Sequence, residues 1–165
     1  MIKPLFQKVL VAYNGSQSSL RAVLYGIMMA KEYKCQLKVV YVVDTATIKQ
    51  LTLSKFMISE EADNIEGKLQ QDGDRNLNYV LSLAKTKGVK IEVELKKGAV
   101  WSEIITAADD YKADLILLGG TTGSSTYSSL QHDVIKAQDA EIIGSAHCSV
   151  MVVRQPYIEQ LFKIS

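Results

Sequence analysis

Residues Val9 to Val43 read VLVAYNGSQSSLRAVLYGIMMAKEYKCQLKVVYVV. The two ends of this stretch, Val9–Tyr13 (VLVAY) and Leu37–Val43 (LKVVYVV), are short, rich in β-branched and aromatic residues, and apolar at nearly every position. A strand with one wet face alternates apolar and polar residues. A strand covered by helices on both faces has no such need, so these two read as strands of a parallel sheet. Between them Leu20, Val23, Leu24, Ile27 and Met28 recur at spacings of three and four, one face of a helix, and Ser16–Ser19 offers N-cap candidates. The stretch is a β-α-β unit.

The same grammar continues along the chain. Ile91–Leu95 (IEVEL) carries polar residues at alternate positions, which suits a strand near a sheet edge. Gly98 breaks the chain, and Trp101, Ile104, Ile105 and Ala108 mark the apolar side of the next helix. Asp114–Leu118 (DLILL) reads as another buried strand, Val134–Ser145 as a helix, and Val150–Val153 (VMVV) as the last strand. Five strands alternating with helices give the α/β class: one open parallel sheet, doubly wound by right-handed crossovers, with helices on both faces. Two stretches depart from this pattern. Thr45–Ser59 carries Leu51, Leu53, Phe56 and Met57 without a clean period, and Glu60–Lys87 reads as a long helix weakened or bent near Gly73. Residues 1–154 form the domain and 155–165 a C-terminal extension. Pro156, Tyr157, Ile158, Leu161 and Phe162 make that extension too apolar for a free tail, so it is expected to dock on this chain or on a partner.

Composition narrows the function. The 165 residues hold 19 basic and 18 acidic side chains, a formal charge of +1, and 47% are apolar. This is the balance of one globular domain. It leaves no net field to hold a phosphate polymer, so nucleic acid is not an expected partner. The apolar runs are far shorter than the roughly 20 residues that cross a bilayer, and Met1–Gln7 lacks the apolar core of a secretory signal, which predicts a cytoplasmic protein with no membrane contact. The 2 cysteines, Cys35 and Cys148, lie far apart without C-x-x-C spacing and read as small buried hydrophobes, with no metal-ligand cluster around them.

Ligands of open α/β sheets bind at the carboxyl ends of strands, where neighbouring connections leave toward opposite faces. Two strand ends here are rich in small, hydrogen-bonding residues. After the first strand, which ends at Tyr13, come Asn14, Gly15, Ser16, Gln17, Ser18 and Ser19. After the fourth, Gly119 to Ser129 (GGTTGSSTYSS) is a run of 11 small or hydroxyl-bearing residues, longer than a turn needs. Glycines let a backbone approach a ligand, successive N–H groups form anion nests, and hydroxyls add neutral donors. This chemistry suits phosphate or sugar; the same residues also make ordinary turns. No G-x-G-x-x-G follows the first strand and no G-x-x-x-x-G-K-[ST] occurs, which disfavours a Rossmann dehydrogenase or a P-loop NTPase. Gly119-x-Thr121-x-Gly123 superficially resembles a nucleophile elbow, but such a site needs a base, and His132 and His147 read better as capping or surface residues. Glu60-Glu61 and Asp109-Asp110 read as solvated charge on helix faces.

These residues carry a resemblance. VLVAYNGS (Val9–Ser16) with its following helix, VVYVVD (Val39–Asp44), ADLILLGGTTG (Ala113–Gly123) and HCSVMVVR (His147–Arg154) together resemble the universal stress protein family, in the right order over about residues 5–154. The resemblance implies a five-stranded sheet of order 3-2-1-4-5 and a homodimer in which the last strands, here Val150, Met151, Val152 and Val153, pair. It places the two loops beside one another at the switch point. In ATP-binding members an Asp-Gly-Ser turn touches the nucleoside and the backbone at the end of the second strand meets the adenine. A G-x-x-G-x9-G-[ST] segment holds ribose and phosphates.

Matched residue by residue, Asn14 stands where the aspartate is expected, with Tyr13, Gly15 and Ser16 beside it. Val42 and Val43 fall at the adenine position. Gly120-Thr121-Thr122-Gly123 satisfies G-x-x-G, flanked by Gly119 and Ser124. The G-[ST] pair is missing: Asp133 and Val134, or Lys136 and Ala137, stand there. Asp133 would put an anion where phosphates need donors, which Lys136 could offset with its charge. The resemblance therefore implies a regulatory module that binds ATP, AMP or a related small ligand without turnover beyond weak ATP hydrolysis. The alternative is a structural or adaptor homodimer in stress response, its crevice filled by side chains such as Tyr127 or His132.

Overall fold

The computed structural model describes residues 4–120 and 129–165, and for 129–136 the backbone alone. In chain order the elements are β1 (Lys8–Tyr13), α1 (Gln17–Tyr33), β2 (Gln36–Asp44), α2 (Thr45–Leu53), α3 (Ser59–Thr86), β3 (Glu92–Gly98), α4 (Val100–Tyr111), β4 (Leu115–Gly119), α5 (Ser129–Ser145), β5 (Ser149–Val153) and α6 (Ile158–Ile164). The strands form one sheet of order β3-β2-β1-β4-β5. Every neighbouring pair is parallel. This is the doubly wound α/β sheet expected from the strand-helix alternation.

The absence of alternation in the central strands follows from burial on both faces. Side chains alternate across a strand. Val9, Val11, Tyr13, Val39, Tyr41, Val43, Leu115 and Leu117 therefore enter one core with Val23 and Ile27 of α1 and Leu77 and Val80 of α3. Leu10, Val40, Val42, Ile116 and Leu118 enter a second core with Ile104 of α4 and Ile142 of α5. The register Val9↔Leu115 and Val11↔Leu117 puts β1 and β4 side by side at the centre, so their carboxyl ends open together.

Three local expectations are corrected, and the stretch left open at 45–59 is defined. β3 runs on through Lys96 and Lys97 to Gly98 instead of ending at Leu95. At this sheet edge the Lys96 ammonium is held 3.5 Å from Glu103 and 4.0 Å from Glu94. Residues 45–53 form a helix after all, its N-terminus capped by Asp44, whose Oδ1 accepts from Thr47 N at 3.0 Å. Only Ile48 of that helix is buried, so it carries no amphipathic period. α3 is one uninterrupted helix of 28 residues through Gly73. That glycine is a point of close packing: a Cβ there would stand 2.7 Å from Leu95 Cδ1 and 2.9 Å from Tyr41 Cδ1. Finally, α5 starts at Ser129, ahead of the Val134 read from the sequence.

The C-terminal extension docks on its own chain. Ile158 and Phe162, four residues apart on one face of α6, are buried in the core beneath α1. Lys87 Nζ lies 4.8 Å from the Phe162 ring centroid and 3.2 Å from the Ser165 carbonyl oxygen. Among the described residues no helix is long and apolar enough to cross a membrane.

Candidate functional site

The loop after β1 is organised by its own side chains. Asn14 Oδ1 accepts from Ser16 N at 3.0 Å, a turn that mimics a backbone bond, and from Ser19 Oγ at 2.7 Å. Ser16 is the N-cap of α1: its Oγ accepts from Ser19 N at 3.2 Å. Ser19, 5% exposed, is the buried hydroxyl on which the loop closes, since Asn14 N also reaches its Oγ at 3.3 Å. Both lone-pair directions of the Asn14 carbonyl are thus used within the loop. Its NH2 group donates to no other described residue, so the charge-neutral substitute for aspartate leaves an exposed donor at the strand end.

Gly15 has φ +84°, the left-handed region that favours glycine. A Cβ here would stand 3.0 Å from Nδ2 of Asn76 on α3. Asn76 Oδ1 lies 3.5 Å from the Tyr13 hydroxyl, at the limit of a hydrogen bond, and the Tyr41 hydroxyl also bonds to Asn76. The two tyrosine rings meet edge to face, centroids 6.0 Å apart. Burial pushes both phenols above their ordinary pKa, so they are neutral donors at physiological pH. Tyr13, singled out from the sequence as a ligand-contacting residue, turns its side chain into the core and supports the loop from below.

The loop after β4 begins against this one. The Gly119 Cα faces the backbone of Ser18 and Ser19 so closely that a Cβ would overlap the Ser18 carbonyl and lie 2.6 Å from Ser19 N. Gly120 donates its N–H to the Val153 carbonyl at 3.0 Å and lies against the Arg154 side chain. The structure therefore brings Asn14, Gly15, Ser16, Gly119 and Gly120 to one place. Thr121, Gly123, Ser124 and Tyr127 lie outside the described residues. So do the side chains of His132, Asp133, Val134 and Lys136. At the end of β2, Val42 and Val43 bury their side chains in opposite cores, and their backbone pairs with Lys96 and Lys97 of β3.

Three residues outside the sequence-predicted ligand set shape the site: Ser19, read from the sequence only as a loop and N-cap serine, Asn76 and Glu159. Glu159 on α6 accepts from Gln17 Nε2 at 3.0 Å and Arg21 Nε at 2.6 Å, in the first turns of α1. Gln138 of α5 reaches across to accept from Trp101 N at 3.0 Å, satisfying one open amide of α4, whose N-cap Ala99 offers no side-chain acceptor. The exposed His147 lies at the other end of the sheet, before β5, with Nδ1 3.0 Å from Asp109 Oδ1. It is remote from the two loops and takes no part in their chemistry. Cys35 and Cys148 are free thiols, half-buried, with burial raising both pKa values. Among the described residues no group of three or more His, Cys, Asp and Glu side chains converges on a metal position.

These features define a doubly wound α/β domain in which backbone amides, hydroxyls and a carboxamide meet at the carboxyl ends of β1 and β4. The chain belongs to the universal stress protein family, whose sequence profile matches residues 5–154. It is 34% identical over 154 residues to a universal stress protein of Methanocaldococcus jannaschii, an alignment covering 92% of this chain and 84% of that one. Among solved structures it is similar to a universal stress protein family member from Burkholderia pseudomallei, with TM-score 0.71 at 19% identity over 93% of this chain and 100% of the other. It is also similar to a family protein from Arabidopsis thaliana with AMP bound, with TM-score 0.60 at 18% identity over 93% and 94%. At these structural identities the likeness speaks for the fold.

Proposed function

We propose that the protein is a regulatory binding module that holds an adenine nucleotide or a related phosphorylated ligand in the crevice between the loops after β1 and β4, without turning it over. The observation that carries this reading is the backbone packing of Gly119 on Ser18 and Ser19, which joins the two loops into one surface at the switch point. The donors of the two loops are backbone amides, hydroxyls and a carboxamide, with the Arg154 side chain beside Gly120, a set that suits a sugar or a few phosphate charges. The AMP bound to the Arabidopsis relative supports the same ligand class, with ATP as the more highly charged candidate. None of the described residues pairs a hydroxyl nucleophile with a base at this end of the sheet, which favours binding over catalysis. The half-buried free thiols suit a cytoplasmic location.

Thermal unfolding with millimolar ATP, ADP and AMP tests the proposal. A ligand at 100 times its Kd stabilises the native state by about 2.7 kcal/mol. The melting temperature should therefore rise with at least one of them, and no rise with any overturns the reading.

A second reading, a structural or adaptor homodimer, is favoured by β5, the outermost strand of the described sheet. There Ser149 and Met151 are exposed while Val150 and Val152 are half-buried, a strand edge able to pair with its copy. The two readings are compatible.

A further inference from the structure

The short segment from Val153 to Glu159 touches the start of the loop after β4 and the first turns of α1, which follow the loop after β1. At its start, the Val153 carbonyl accepts from Gly120 N at 3.0 Å and Arg154 packs on the Gly120 Cα. At its end, Glu159 Oε1 accepts from Arg21 Nε at 2.6 Å and from Gln17 Nε2 at 3.0 Å. Gln17 opens α1 and Arg21 follows four residues later on the same face. Glu159 is not a loose surface charge: its helix is anchored by the fully buried Ile158 and by Phe162. The one cation in the first two turns of α1, a natural attractor for a phosphate, and the Gln17 side chain that opens the helix are thus met by a carboxylate that the chain itself supplies.

We propose that Glu159 is a specificity-determining residue of the crevice: a built-in anion on Arg21 and the first turn of α1 that selects against ligands with several negative charges, favouring a nucleoside monophosphate over a triphosphate. The inference rests on the crevice reading above. Its physical basis is that in water, at a separation of about 10 Å, one unit of negative charge weakens binding roughly twofold per ligand charge at low salt. Added salt shortens the reach of that repulsion. Tying up Arg21 removes a partner that could offset it. Charge-poor adenosine is indifferent to both effects.

The test measures Kd for adenosine, AMP, ADP and ATP at low salt in the wild-type chain, in Glu159→Gln and in Glu159→Gln with Arg21→Gln. The amide keeps an acceptor for Gln17 and Arg21, and melting curves confirm folding. Glu159→Gln should leave adenosine unchanged and tighten the others in order of charge, about fourfold for AMP and on the order of tenfold for ATP. The gain should shrink in 0.5 M NaCl and be reduced when Arg21 is also removed. Binding of phosphorylated ligands by the variant alone would support the proposal as well. A change equal for all four ligands, or no change, overturns the role of Glu159 and leaves the crevice reading standing. Absence of binding in every form overturns both.

Discussion

Gly15 and Asn76 sit so close that a side-chain carbon at position 15 would stand 3.0 Å from Asn76 Nδ2, locking the loop after β1 to the middle of α3. Gly15→Ala meets two penalties, the φ of +84° and this contact. Left-handed backbone costs an L-residue roughly 1–2 kcal/mol. Gly15→Ala should therefore lose about 2 kcal/mol or more in urea unfolding. Asn76→Ala in the same chain should return only the steric part. Full recovery in the double variant would mean that the backbone conformation carries no cost.

Gly119→Ala places a methyl against main-chain atoms of Ser18 and Ser19, which cannot rotate away as a side chain can. Overpacking of this kind costs typically 1–3 kcal/mol. The variant should lose that much stability, and whatever binding the crevice has should fall with it because the two loops are forced apart. Unchanged stability in denaturant would show that the loops are not in contact in solution.

Gly67 and Gly73 lie on the same helix and should respond oppositely to alanine. At Gly67 nothing lies within 4 Å of the new carbon. Alanine's better helix propensity should stabilise the protein there by up to about 1 kcal/mol. At Gly73 the same propensity gain competes with Leu95 and Tyr41 at 2.7 and 2.9 Å, and the overpacking wins by about 1–2 kcal/mol. Paired melting curves check both signs.

Gly73 also shows where sequence reasoning stopped. Helix propensity is a local quantity, so a glycine in a helical period reads as a weak point; the Tyr41 ring that fills its place comes from a strand more than 30 residues away. The central strands were legible because burial on both faces leaves its mark on consecutive residues, as in Val39–Val43. The two loops were legible from their glycines and hydroxyls. Ser19 and Asn76 were not, since a serine in a serine-rich turn and an asparagine on a polar helix differ from their neighbours only by what they touch. Glu159 was hidden for the same reason: its partners, Gln17 and Arg21, are about 140 residues earlier in the chain.

The two edges of the sheet are unlike. The β3 edge is charged, Glu94 lying 3.5 Å from Lys38 of β2 and Lys96 3.5 Å from Glu103 of α4, a pattern that discourages edge-to-edge pairing. β5 presents Met151 instead, 37% exposed on a five-residue strand with valines on either side. If β5 is the dimer edge, Met151→Glu should convert the protein to monomers in sedimentation velocity, whereas a charge added on the exposed Glu92 side of β3 should change nothing. An unaltered sedimentation coefficient for Met151→Glu excludes pairing through β5.

Two carboxylates should give the stability curve opposite slopes. Burial pushes the Asp139 carboxyl up to about 6. A group whose native pKa lies above its unfolded value favours folding while protonated, so its contribution is full below about pH 4 and is lost as the pH rises through 6. Glu159 is the reverse: its hydrogen bond from Arg21 holds its pKa below the ordinary 4.5, so its contribution is present at neutral pH and is lost as the pH falls below that value. Asp139→Asn should therefore match the wild type at pH 4 and exceed it by about 1 kcal/mol at pH 8, a figure kept below the full shift because a half-buried carboxylate retains part of its hydration. Glu159→Gln should match the wild type only in acid and fall short at pH 7 by up to about 1 kcal/mol. Urea titrations across pH 3–8 read both differences. Asp139→Asn less stable than the wild type at pH 8 would mean that the carboxylate is charged and paired there, and that its burial has been offset by a partner.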